Sequence, residues 1–134
     1  MRYRAILLLS SLFLLMGCKE DFPVYTSFCE QNTTKFPPCL RYAVLNDEDK
    51  KMIVKTFGIK DDTSCPYRVE LTRYHIGLCD NPVIKSRGSD FDGYVRLEIK
   101  KSFECYYKAQ SDFKNDENAA FDRVLKRVRI DLDQ

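Results

Sequence analysis

From Val95 to Phe113 apolar and polar residues alternate, and this run constrains the fold more than any other feature of the chain. Val95, Leu97, Ile99, Phe103, Cys105, Tyr107, Ala109 and Phe113 share odd positions. Arg96, Glu98, Lys100, Glu104, Lys108 and Gln110 share even ones, and Lys101 and Ser111 alone break the apolar side. A period of two is the mark of a half-buried strand. As one strand the run would exceed about 60 Å, too long for a small domain. The alternation therefore predicts a hairpin turning near Lys100-Lys101-Ser102, with two strands sharing one apolar face and Tyr106 on the outward side.

The neighbouring segments supply the other layer. Asn46 or Asp47 is positioned to cap a helix whose first turn is acidic (Asp47, Glu48, Asp49), whose apolar face is Ile53, Val54 and Phe57, and whose end is marked by Gly58. A second helix begins near the candidate cap Asn115, with Asp116 and Glu117 at its start. Phe121, Val124, Leu125, Val128 and Leu132 form its buried stripe, and Arg123, Lys126, Arg127 and Arg129 crowd towards its end. Short strands are expected over Leu40–Leu45 and Tyr67–Ile76, and a short edge strand over Pro82–Lys85. Asn81-Pro82 and Arg87-Gly88-Ser89-Asp90 read as turns. The fold class is α+β: a small, mostly antiparallel sheet with two helices on one face, braced by disulfides.

The amino terminus carries an address. Arg2 and Arg4 precede an apolar run from Ile6 to Met16, too short to span a bilayer and halted by Lys19, Glu20 and Asp21. The run closes on Leu15-Met16-Gly17-Cys18, which resembles the lipobox of a bacterial lipoprotein. The resemblance implies cleavage before Cys18 and acylation (palmitate among the chains) of that residue. The competing reading is an ordinary cleaved signal that keeps Cys18 for a disulfide. It would place the bulky Leu15 or Met16 three residues before the cut, where a small residue is preferred. The expected organisation is a signal peptide over 1–17, a lipidated tether over 18–28 and one domain over 29–134. Lys19 after the cysteine points, by the same resemblance, to the periplasmic face of the outer membrane.

Removing residues 1–17 from the 134 leaves 117, enough for one core. Arg2 and Arg4 account for the net charge of +2, so the mature chain balances 20 basic against 20 acidic residues. A neutral domain lacks the basic field of a nucleic-acid binder. Five cysteines follow Cys18. Cys65 and Cys79 flank an expected strand and would lie roughly 35 Å apart, far beyond the about 7 Å a disulfide spans. Setting Ile76 opposite Tyr94 puts Leu71 against Ile99, Glu70 against Lys100 and Cys65 against Cys105. The expected bonds are therefore Cys65–Cys105 and Cys29–Cys39, with Cys79 left over.

Residues of catalytic type are sparse. His75 is the only histidine, and with Cys79 or a serine it does not make a triad; a half-exposed strand histidine is the preferred reading. One histidine without a Cys-x-x-Cys pattern does not build a zinc site. Asp90-Phe91-Asp92-Gly93 holds a fragment of a calcium loop and reads better as a turn, and no cofactor is implied. Asn32-Thr33-Thr34 matches a glycosylation acceptor that a bacterial lipoprotein would not use. Arg123, Lys126 and Arg127 form a basic stripe, the candidate binding surface for lipid phosphates or glycolipid. Tyr67, Tyr74, Tyr94 and Tyr106 suit protein or glycan contact.

In element order the mature chain is similar to the lipopolysaccharide-assembly lipoproteins of the outer membrane, from which it departs in a shorter first helix and more cysteines. The expected function is that of a non-enzymatic, lipid-anchored envelope protein. Its partners would be membrane lipid through acylated Cys18 and an envelope protein or glycolipid, with no nucleic acid. The alternative is a surface or periplasmic inhibitor or immunity-type protein that binds one enzyme through a closed Cys29–Cys39 loop. A hydrolase using His75 is the third and least favoured reading.

Overall fold

A computed structural model describes residues 20–30, 35–76 and 91–133. Five strands, β1 (Val24–Phe28), β2 (Arg41–Ala43), β3 (Tyr67–His75), β4 (Gly93–Lys101) and β5 (Glu104–Phe113), form one sheet in the order β1-β5-β4-β3-β2. Only the β2–β3 pair is parallel, and α1 (Asp47–Phe57) supplies the crossover that a parallel pair requires. Helix α2 (Glu117–Leu132) packs across β4 and β5. Both helices cover the same face, so the molecule is the expected disulfide-braced α+β domain.

The core lies between that face and the helices. Val69, Val95, Leu97, Ile99 and Tyr107 of the sheet meet Ile53 and Phe57 of α1 and Phe121, Val124 and Val128 of α2. Asn46 caps α1 by accepting the Glu48 and Asp49 N–H groups at 2.9 and 3.0 Å, and Gly58 ends it at φ 69°. The cap of α2 is Asp116, which accepts the Ala119 N–H at 2.9 Å, and not Asn115. The Asn115 N–H is instead taken by Glu20.

The hairpin turns between Lys101 and Glu104, with Ser102 at φ 57°. Ile99 pairs with Tyr107 but Lys100 pairs with Cys105, so Tyr106 is the extra residue of a bulge. The bulge inverts the expected parity. Tyr106 packs on the core side, edge to face with Tyr67 at 5.3 Å, and its hydroxyl donates to the Lys35 carbonyl at 2.8 Å. Phe103, expected on the apolar face, is 93% exposed at the tip.

Three further expectations are corrected. Residues 24–28 are not tether; Val24, Thr26 and Phe28 alternate with Tyr25 and Ser27 as an edge strand antiparallel to β5. The β3–β4 register is displaced by two residues, so that Tyr74 rather than Ile76 faces Tyr94. A two-residue slip keeps every side chain on its own face, which is why apolar matching could not detect it. The disulfides are Cys29–Cys105 and Cys39–Cys65, with Cα separations of 5.5 and 5.8 Å. Cys29 follows β1 and Cys39 precedes β2, the two outer strands of the sheet. Four inter-strand spacings, roughly 19 Å, separate those edges and forbid Cys29–Cys39. Cys105 returns along β5 to meet Cys29 instead of running on towards Cys65. Cys18, Cys79, Asn32-Thr33-Thr34, Pro82–Lys85, both turns between residues 81 and 90, and Asp90 lie outside the described residues.

Candidate binding face

With both helices on one side, no helix among the described residues covers the opposite face of the sheet. It divides into two zones. Towards the hairpin it is a charged ladder: Lys100 bonds Glu70 at 2.7 Å and approaches Glu98 at 3.7 Å, while Arg68 pairs with Glu70 at 2.6 Å. The Lys100 ammonium, aided by Arg68, holds the Glu70 carboxyl below its ordinary value against the cost of desolvation. These charges neutralise one another.

The second zone is aromatic and cationic. Tyr74 and Tyr94 stack with centroids 5.1 Å apart, and the Arg96 guanidinium lies 4.9 Å from the Tyr94 ring centre. Arg96 Nε donates to Gln110 Oε1 at 2.9 Å, which fixes the guanidinium in orientation. Next to it, Tyr25, Ser27, Arg96, Lys108 and Gln110 line a shallow cleft of about 170 Å³, and Tyr25 is 60% exposed. A pre-oriented guanidinium, an ammonium, an amide and an exposed phenol converge there. Tyrosine and arginine are the residue types that dominate binding energy at interfaces. The sequence located Tyr74 and Tyr94, but Tyr25 was hidden in the supposed tether and Arg96 looked like one more outward cation.

The candidate stripe on α2 does not act as one surface. Arg123 is a brace: Nε donates to Ser111 Oγ at 3.1 Å, Nη2 to the Asp112 carbonyl at 2.9 Å and Nη1 to the Glu20 carbonyl at 3.2 Å. Arg127 pairs with Asp131 at 3.0 Å. Lys126 is exposed and borders a groove of about 460 Å³ between the helices, floored by Met52, Leu125 and Ile130. Helical periodicity shows which residues point outward but not which of them meet partners from other elements.

His75 contacts Glu117 (3.1 Å) and the edge of Phe113 (5.2 Å). Glu117 also takes Arg73, which bonds Asp49 at 2.8 Å and ties β3 to both helices. Among the described residues no cluster of His, Cys, Asp and Glu could hold a metal ion, and no helix is long and apolar enough to cross a membrane. No protein-family model and no curated protein matches the chain.

Proposed function

We propose that this protein is a non-enzymatic, lipid-anchored component of the cell envelope, held by acylated Cys18, and that it binds another envelope component through the helix-free face of its sheet. The observation that carries the binding role is the Tyr25–Tyr94–Arg96–Gln110 cluster, whose guanidinium is oriented in advance over the half-buried Tyr94 ring and beside the exposed Tyr25. The lipobox supplies the anchor, and Lys19 favours the periplasmic face of the outer membrane. The inhibitor alternative loses its closed loop, because Cys29 and Cys39 bond elsewhere.

Two measurements test the two halves of this reading. Cys18→Ser should abolish palmitate incorporation and release the protein from the membrane fraction; undiminished labelling would remove the anchor. A photo-crosslinking side chain at Tyr25 should capture a defined adduct in the native envelope. The same group at Thr56, in the groove between the helices, should not. The reverse pattern would transfer the site to that groove.

A further inference from the structure

The two edges of the sheet are finished differently. Beyond β2 the edge is closed by the segment that follows α1. Leu40 bridges Asp61, the Asp62 N–H donates to the Leu40 carbonyl at 2.9 Å, and Asp61 Oδ1 accepts the Tyr42 N–H at 3.0 Å. β1 has no such cover among the described residues. The Cys29 N–H bonds the Tyr106 carbonyl at 3.2 Å. The alternation of an antiparallel ladder then turns the backbone groups of Tyr25 and Ser27 towards β5 and those of Val24, Thr26 and Phe28 outward. None of these three outward residues has a backbone partner among the described residues. Nor does β1 carry anything that keeps an edge from pairing: its sequence, Val-Tyr-Thr-Ser-Phe, has no charge, no proline and no bulge.

We propose that β1 is a dimer interface: β1 of a second copy adds antiparallel across the open edge, about a twofold axis beside Thr26, and joins the two sheets into one. The register is self-complementary. Setting Thr26 opposite Thr26 of the second copy places Val24 opposite Phe28 and Tyr25 opposite Ser27, and the outward residues exchange about six backbone hydrogen bonds. A one-residue shift would set outward residues against inward ones and lose those bonds.

The side chains agree with this pairing. On the helix side Phe28, 46% exposed, covers Val24 of the second copy, an aromatic ring against a β-branched residue. On the other face Tyr25, 60% exposed, meets Ser27. The seam thus covers both exposed aromatic side chains of β1, and no like charges face each other across it. Because β2 is closed, each copy offers one open edge, and pairing stops at two chains instead of growing into a filament. The interface is small, so the association is reversible.

The pairing needs no other envelope component, and purified protein tests it independently of the function proposed above. Sedimentation equilibrium of the full-length protein in density-matched detergent should give the mass of two chains, falling to one on dilution. Thr26→Lys sets two ammonium groups opposite each other on the axis and should give one chain at every concentration. Phe103→Lys adds the same charge at the exposed hairpin tip and should leave the mass at two chains. A parent of one chain throughout, or a dimer that survives in a folded Thr26→Lys, overturns the interface. Amide hydrogen exchange on the parent decides the matter without a variant. With about nine-tenths of the chains paired, the Val24, Thr26 and Phe28 amides should exchange about tenfold more slowly than in dilute protein, while Tyr25 and Ser27, already bonded to β5, change little. Protection of the three that is equal at every concentration would mean that the same chain covers its own edge. Fast exchange at every concentration would mean that nothing does, and either result overturns the dimer.

Discussion

Asp131 is a carboxylate on the buried side of α2, and its tolerance there depends on two neighbours. The Tyr107 hydroxyl donates to Oδ2 at 2.9 Å, and Arg127 Nε pairs with Oδ1 at 3.0 Å. Burial, with the adjacent carboxylate, drives the Tyr107 phenol far above its ordinary value, so it remains a donor at any physiological pH. Tyr107 itself is fully buried, which means its hydroxyl has no access to water as a substitute partner. Tyr107→Phe keeps the ring and removes the donor. It should cost about 1–3 kcal/mol, because Asp131 loses one of its two partners in a dry environment. Urea unfolding would measure this. A variant as stable as the parent would mean that Arg127 alone satisfies the carboxylate.

At the scale of elements, the helices and the β4–β5 hairpin were legible because their periodicity is strong and their caps and turn are local. What escaped depends on non-local geometry. The bulge at Tyr106 adds one residue and reverses the parity on one side of it, an event that alternation cannot record when Tyr106 and Tyr107 are both apolar enough to be buried. The charge match of Glu70 with Lys100 is real, but it is made diagonally across a register in which Glu70 directly faces Glu98. β1 was missed because its five residues follow the leader with no turn signal to announce a strand, and with it went Tyr25 and the partner of Cys105. All four disulfide cysteines were recognised, yet their pairing follows the strand order, which a single sequence does not display. The two bonds should differ in effect. Cys29–Cys105 spans 76 residues and Cys39–Cys65 spans 26. On chain-entropy grounds, replacing the first pair by alanine should cost about 4.5 kcal/mol and the second about 3.5 kcal/mol. Unfolding midpoints of the two double variants would show the order, and the opposite order would mean that residual structure or local strain outweighs loop length.

For the whole molecule, the charged contacts joining distant segments set limits on the pH range of the fold. Asp61 lies beside Leu40 and holds β2: its Oδ1 accepts the Tyr42 N–H at 3.0 Å and its Oδ2 meets Lys50 at 2.6 Å. The Lys50 hydrogen bond and the Tyr42 N–H lower its carboxyl. Glu20, whose carboxylate accepts the backbone N–H groups of Lys114, Asn115 and Asp116 ahead of α2, is also lowered: desolvation alone would raise it, but those N–H groups outweigh that effect. Glu70 is lowered by Lys100. Carboxyls depressed in the folded state contribute stability that is complete above their unfolded values, near 4, and is lost as pH falls through their folded values. At the other limit, burial and then Asp61 push the Tyr42 phenol up to about 12, and Tyr107 is raised as well. A raised phenol stabilises the fold below its unfolded value of about 10, and that contribution is lost as pH rises towards the folded value. The urea midpoint should therefore be level between about pH 6 and 9 and fall on both sides. Glu20→Gln should flatten part of the acid limb without touching the alkaline one, because the amide still offers one acceptor but no longer titrates. An acid limb unchanged in Glu20→Gln would show that the bonds of the Glu20 carboxylate break without cost to the fold, and that the segment leading into β1 is held by Arg123 and β1 alone.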